Sequence, residues 1–289
     1  MNQAFDDYYS AKIGSSWGEL KASLLEPSVK VARMTSVGSK LQMDLGSSSE
    51  VLDGCYDPYT AEVQELIDEH PGMFYLMDPA SVLAVRQLDL GGRLRIWDMC
   101  AAPGGKTLLM LENKEPETYV LATDMSRPRV ERLKQVIHQY FAPLSEHHEV
   151  SVRSADAVNW GYRNQEKYDA ILLDAPCSSE RHVMGDPKAM SNWKPNRAKT
   201  LPKRQYALLC SAALACERGG QILYSTCSIN PDENDSVIAR YLKKKTDLVV
   251  RPLAPSVGKP TEHGTLVLPH ECEGWGPMYF ALLEKVEGT

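Results

Sequence analysis

LRIWDMCAAPGGKTLLMLEN, residues 94–113, runs from an apolar strand pattern through a glycine-rich turn into a helical pattern. LRIWDMC (94–100) reads as the strand and GKTLLMLEN (105–113) as the helix. The same rhythm repeats downstream. YVLATD (119–124) is a strand followed by the helix RPRVERLKQVIHQYF (127–141), and EVSVRSAD (149–156) is a third strand. YDAILLD (168–174) is nearly continuously apolar, as expected of a strand buried on both faces. QILYST (221–226) is a fifth, between an expected helix YALLCSAALACERGG (206–220) and another, DENDSVIARYLKKK (232–245). Such alternation predicts an α/β fold, a doubly wound, mostly parallel sheet with helices on both faces. TLVLP (265–269) and MYFALLEK (278–285) predict an antiparallel C-terminal edge. Upstream, WGELKASLLEP (17–27) and TAEVQELIDEH (60–70) read as helices stopped by Pro27 and Pro71, with a turn-rich linker GSSSEVLDG (46–54) between them.

The turn DMCAAPGGKT (98–107) lies where doubly wound folds bind nucleotides. A P-loop needs glycine five residues before Gly105, and Cys100 stands there. The dinucleotide fingerprint G-x-G-x-x-G is absent too, since Gly104 and Gly105 form one adjacent pair. What remains is a turn that lets an uncharged ligand approach the backbone closely. Asp124 ends the second strand, placed for two ribose hydroxyls, and Asp156 ends the third, placed for an adenine amino group. With Asp174 after the fourth strand, this is the layout expected for S-adenosylmethionine.

Seven cysteines are scattered along the chain, with no C-x-x-C pair, so neither a metal site nor a redox motif is expected. The N-terminal residues lack both a secretory apolar core and the Arg-rich character of a transit peptide, and no apolar run approaches the roughly 20 residues that span a bilayer. A reducing compartment and no membrane follow as expectations. Two cysteines stand apart. DAPCSS (174–179) follows the fourth strand and STCSINPDEN (225–234) the fifth, so Cys177 and Cys227 should face one crevice beyond the carboxyl ends of the sheet. A thiolate beside a methyl donor has a specific use. Carbon 5 of a pyrimidine is too weak a nucleophile to take a methyl group directly. Thiolate addition to carbon 6 makes carbon 5 enamine-like, so that it attacks the sulfonium methyl; loss of the C5 proton and elimination of the thiol complete the turnover.

The set DMCAAPGGKT, DAPCSSERH (174–182) and YSTCSINPDEN (224–234) closely resembles the RNA cytosine-5 methyltransferases of the Nop/Sun, RsmB/RsmF-like family. FDDYYSAKIGSSW (5–17), FYLMDPAS (74–81) and WGPMYFALLEK (275–285) resemble its short mitochondrial-type members. Residues 174–182 and RLKQVIHQYFAP (132–143) look most like the ribosomal-RNA enzyme. The resemblance implies a Rossmann-like methyltransferase domain over residues 76–289 behind an N-terminal helical extension over 1–75. It implies Cys227 as the nucleophile and Cys177 as the residue assisting product release. Both cysteines together point to RNA and away from DNA, where the Pro-Cys cysteine is the nucleophile. Cys100, Ala101, Ala102, Pro103, Gly104, Gly105 and Lys106, with Asp124, Arg129, Asp156 and Asp174, would hold the cofactor. Asp174 would also touch the cytosine N3/N4 edge, while Lys106 either pairs structurally with an acid or reaches the active site. Met77-Asp78 departs from the common Gln-Asp. With no accessory RNA-binding domain visible, substrate placement falls to the core, the N-terminal arm or a protein partner; the ribosomal-RNA member works with one from the mitochondrial transcription termination factor family. The compartment would be cytoplasmic, or the mitochondrial matrix if a targeting segment has been trimmed.

A net charge of −6 argues superficially against RNA. Yet residues 44–85 hold nine acids, the first Asp44, and no Lys or Arg, leaving +3 elsewhere. Lys188, Lys194, Arg197, Lys199, Lys203 and Arg204 then crowd the stretch after the Pro-Cys loop. They form an expected phosphate-binding rim, with Trp193 stacking on a base. Ribosomal RNA is favoured over transfer RNA by resemblance. The competing readings are an RNA-binding ribosome-assembly factor that keeps the fold without the chemistry, and a methyltransferase acting on protein or a small molecule.

Overall fold

The computed structural model describes residues 2–40, 48–141 and 149–287. Asp44, the start of the expected linker and the end of the 132–143 stretch lie outside them. The chain opens with helices α1 (Gln3–Ile13) and α2 (Trp17–Leu25), followed by β1 (Val31–Met34), α3 (Ser36–Ser39), β2 (Cys55–Tyr56), α4 (Ala61–Glu69) and β3 (Phe74–Met77). The three strands form a small antiparallel sheet in the order β2-β1-β3, which accompanies the expected helices. Strands of two to four residues are too short to show a period in the sequence.

Next come α5 (Pro79–Val85), β4 (Arg95–Asp98), α6 (Gly105–Asn113), β5 (Tyr119–Asp124), α7 (Arg127–Tyr140), β6 (Val150–Ser154), α8 (Ala157–Arg163) and β7 (Tyr168–Asp174). They are followed by α9 (Glu180–Gly185), α10 (Pro187–Asn192), α11 (Pro195–Ala215), β8 (Cys216–Thr226) and α12 (Asp235–Leu242). The C-terminal strands are β9 (Leu248–Arg251), β10 (Lys259–Pro260), β11 (Thr265–Val267) and β12 (Met278–Lys285). The main sheet runs β10-β11-β12-β8-β7-β4-β5-β6, with β9 also paired to β12. From β8 to β6 all neighbours are parallel, and β12 closes antiparallel on β8. The expected doubly wound sheet and antiparallel edge are both present.

Burial explains the strand text. In β7 the residues from Tyr168 to Leu173 are all buried, and successive side chains feed opposite cores. Ala170 and Leu172 join Ile96, Val120 and Leu108 on one face, while Ile171 and Leu173 join Trp97, Leu121 and Tyr224 on the other. One expectation needs correction. The helix before the fifth strand begins at Pro195, which suits the first helical turn, and ends at Ala215. CERGG (216–220) belongs to β8, which pairs with β7 at Tyr168↔Cys216 and resumes at Ala170↔Gln221 after a register shift.

Strand order sets the site. From β4 the chain winds outward through β5 and β6, then crosses back to β7 and β8 on the other side. The winding reverses between β4 and β7, and the crevice at their carboxyl ends is where such folds hold ligands.

Candidate active site

β7 and β8 are hydrogen-bonded neighbours with Asp174 opposite Ser225, so the turns that leave them share one crevice. Cys177 and Cys227 meet there, Sγ to Sγ at 3.0 Å. Ser179 Oγ lies 3.1 Å from Cys227 Sγ and 3.4 Å from Cys177 Sγ. Two fully buried glutamates cross-link the turns. Glu180, beside the first cysteine, accepts from Ser228 Oγ at 2.9 Å and Ile229 N at 3.2 Å, beside the second. Glu233, beyond the second, accepts from Ser178 N at 2.9 Å and from the Ser178 hydroxyl, beside the first. Gln205 Nε2 adds a bond to Glu233 at 2.9 Å. The sequence reading missed both glutamates, although each sits inside a quoted motif; an acid beside Pro-Cys or Asn-Pro with no exposed role was the available signal.

The two sulfurs are not equivalent. Cys227 is held below the ordinary thiol range, chiefly by the hydrogen bond from Cys177, against the opposing effect of burial, with further help from the Ser179 hydroxyl and the Lys106 charge. Cys177 is pushed well above that range by the same hydrogen bond and by burial. Of the two, Cys227 is the sulfur biased toward the thiolate and Cys177 the one biased toward the thiol. Burial raises Cys55, Cys100, Cys210 and Cys216, so these remain protonated.

The glycine-rich turn runs from β4 into α6. Gly104 has φ +124°, and a Cβ there would meet Leu133 Cδ1 at 2.9 Å; one on Gly105 would meet Tyr75 Cε1 at 2.7 Å. Only glycine fits this cradle. A cavity of about 270 Å3 opens beside it, lined by Tyr75, Asp78, Asp98, the turn from Cys100 through Ala101, Ala102, Pro103, Gly104 and Gly105 to Lys106, and Asp174. Asp98 is buried, accepts from Thr107 Oγ1 at 2.7 Å through one oxygen and leaves the other without a partner. Burial pushes its carboxyl up to about 7. Lys106 Nζ binds Asp174 Oδ2 at 2.8 Å, and the residue lines the cavity. Ser225 Oγ donates to the other Asp174 oxygen at 2.9 Å.

The remaining expected residues stand further along the rim. Asp124 is buried at the end of β5, accepts from Ser126 N at 2.9 Å and lies 3.1 Å from Arg129 Nη1. Arg129 also donates to the Ala102 carbonyl, which ties the β5 end to the turn. Asp156 caps α8 through Val158 N at 3.2 Å and lies 3.6 Å from Arg204. None of these three lines the cavity itself.

A second cavity of about 380 Å3 adjoins the first and shares Lys30, Asp78 and Ser81 with it. Cys227, Ser179 and His182 line it, and Ser28 and Lys30 bring the N-terminal region into its wall. Asp78, another residue without an assigned role in the sequence reading, caps α5 through Ala80 N and accepts from Gly276 N at 3.2 Å. A larger cavity of about 460 Å3, between Val51 and Trp275, holds none of the expected residues.

The basic stretch forms helices. Lys188, Lys194, Arg197, Lys199 and Lys203 are exposed on and between α10 and α11. Trp193 corrects an expectation. It is only 4% exposed, packed edge-on to Phe5 at 5.0 Å and Tyr8 at 5.6 Å, so it anchors the basic helices to α1 and offers no face to a base.

The family model described as 16S rRNA methyltransferase RsmB/F matches residues 85–284. The chain belongs to the RsmB/F methyltransferase family. It is 35% identical to the Xenopus laevis 5-cytosine rRNA methyltransferase NSUN4, over 74% of this chain and 57% of that protein. With the Danio rerio mitochondrial tRNA (cytosine(34)-C(5))-methyltransferase it shares 30% identity, over 98% of this chain and 86% of the other. The chain thus spans little more than half of the frog relative. Among solved structures, a Pyrococcus horikoshii methyltransferase homologue superposes with a TM-score of 0.76 at 21% identity, covering 99% of this chain and 96% of that one. NSun6 from the same organism gives 0.76 at 18%, over 98% of both chains. These neighbours support the fold described above.

Proposed function

We propose that this chain is an RNA (cytosine-5) methyltransferase that uses S-adenosylmethionine and forms 5-methylcytosine through a covalent Cys227–C6 adduct. The observation that carries the reading is the pair of cysteine sulfurs 3.0 Å apart, in a crevice whose cavity adjoins the one along the glycine-rich turn.

The cradle fits the cofactor. Asp98 presents an unpartnered buried oxygen beside a cavity lined by the Cys100–Lys106 turn. The Cys100–Lys106 turn, Asp124, Arg129, Asp156 and Asp174 would hold it. When bound, S-adenosylmethionine supplies an electrophilic methyl group. Cys227 adds to carbon 6 of the cytosine and makes carbon 5 electron-rich. Asp174, fixed by Lys106 and Ser225, addresses the N3/N4 edge of the base. Cys177, kept as a thiol against the departing sulfur, assists the elimination that frees the methylated RNA. Residues 76–289 carry this chemistry, and residues 1–75 complete the base cavity through Ser28 and Lys30.

Ribosomal RNA is the favoured substrate, because the matching family model and the NSUN4 relatives are described for rRNA. Transfer RNA is the alternative substrate, in line with the zebrafish relative's name. That name also supports a mitochondrial setting. A protein partner would deliver the substrate. Bisulfite sequencing of total RNA with and without the gene identifies the cytosine; a methylation map unchanged by its loss refutes the reading. In vitro, Cys227→Ala abolishes methylation with cofactor binding intact, and Cys177→Ala accumulates an RNA–protein adduct seen as a shifted band on a denaturing gel.

A further inference from the structure

We propose that Ser179 is a catalytic residue, whose hydroxyl donates to Cys227 Sγ and holds that sulfur as a thiolate facing the base cavity. The inference rests on the reading of Cys227 as the nucleophile. Ser179 Oγ is within 3.1 Å of Cys227 Sγ and 3.4 Å of Cys177 Sγ, and the residue lines the same cavity as Cys227. A hydroxyl carries one donor and two acceptor lone pairs. It can therefore donate to Cys227 Sγ beside the Cys177 thiol, so that two donors converge on one sulfur.

Two features show that the hydroxyl is directed there. Ser179 occupies the N-cap position of α9, where serine usually bonds a free backbone N–H, yet its side chain makes no capping bond. Its backbone has φ 51° and ψ 57°, a left-handed conformation that favours glycine. The neighbours impose it: Ser178 is fixed by Glu233, and Glu180 by Ser228 and Ile229. A strained non-glycine conformation maintained from both sides, with the side chain pointed at a reacting atom, is characteristic of functional sites.

The hydroxyl's role follows the charge on sulfur. When the C6–S bond forms, the electron pair leaves Sγ and the donated bonds weaken. When that bond breaks, the pair returns to Sγ and the bonds strengthen, so Ser179 favours release of the methylated base. Ser179 itself neither gains nor loses a proton in either step; the elimination is accompanied by loss of the C5 proton of the base.

The test is the pH profile of Cys227 alkylation by iodoacetamide in the full chain, followed by peptide-resolved mass spectrometry. Wild type, Ser179→Gly and Ser179→Ala are compared. Glycine removes the hydroxyl and relieves the left-handed strain, so it folds at least as well as wild type. Both variants should move the profile up by about one pH unit, lowering the rate at neutral pH about tenfold. An unchanged profile in Ser179→Gly overturns the proposal, and so does a shift confined to Ser179→Ala, which would place the effect in the backbone. The measurement uses neither RNA nor cofactor. A shifted profile in a chain that makes no 5-methylcytosine counts against the reaction and leaves the hydrogen bond standing.

Discussion

Glu180 shows how a single buried carboxyl couples the site to stability. Tyr9 donates to it from α1 at 2.7 Å, and Ser228 and Ile229 donate from the Cys227 turn. Burial first, and the neighbouring Glu233 charge second, push its carboxyl up to about 7 from an ordinary 4.5. The folded value lies above the unfolded one, so the folded state keeps a proton that the unfolded chain releases. Glu180 thus contributes its stability in full below about pH 4.5 and loses it as pH rises to about 7. Urea unfolding between pH 5 and 7 should show wild-type stability falling by on the order of 2 kcal/mol through this group. Glu180→Gln should have a flatter curve, the residual slope belonging to groups such as Asp98, which is raised in the same direction. Parallel curves for the two proteins would show that Glu180 stays ionised throughout. Residues of this kind were not legible beforehand. A glutamate in a loop reads as solvated, and only the register of β7 against β8 brings it under the opposite turn.

At the scale of elements, legibility followed burial. β5, β7, α6 and β12 match the reading at both ends, because elements enclosed on one or two faces carry strong apolar patterns. The small sheet of β1, β2 and β3 escaped, as did α8, α9 and α10, whose six or seven residues span fewer than two turns. α11 was half seen. Its first turns are basic, and Pro202 inside it reads as a breaker, yet Ala198 and Gln205 are fully buried on the inner side. Its outer side carries Arg197, Lys199 and Lys203. If these helices track the RNA backbone, changing Lys194, Arg197 and Lys199 together to Gln should lower the slope of log affinity against log salt by about 2, at roughly 0.7 per phosphate contact. Trp193→Phe should leave that slope unchanged, whereas Trp193→Ala should cost about 3–5 kcal/mol of stability, as expected for a packed anchor. Filter-binding titrations over a salt series separate the two; a slope that moves with Trp193→Phe would return the indole to the RNA face.

Over the whole molecule, charge and topology divide the chain in the same way. The acids concentrate in residues 44–85 and the basic residues in the stretch forming α10 and the start of α11, so the net −6 is an average of two unlike stretches of sequence. The extension nevertheless reaches the chemistry. Asn2 donates to the Met190 and Trp193 carbonyls at 3.1 Å, Lys12 pairs with Asp232 at 2.6 Å, and Asn230 donates to the Tyr8 hydroxyl at 3.3 Å. With Tyr9 on Glu180, α1 touches both cysteine turns and the basic helices from some 170 residues away. Phe5 lies at the centre of this contact, fully buried among Tyr9, Trp17 and Trp193. Such packing should make α1, α2 and the cysteine turns one cooperative unit, distinct from the far strands β5 and β6. Phe5→Ala should therefore cost about 3–5 kcal/mol and express the loss at the site. Amide hydrogen exchange should rise at Ser178 and Ile229, whose N–H groups are held by Glu233 and Glu180, while Leu121 and Val152 keep their protection. Exchange that rises only within residues 2–25 would mean that the extension can detach without disturbing the cysteines, and that the turns hold their geometry through the two glutamates alone.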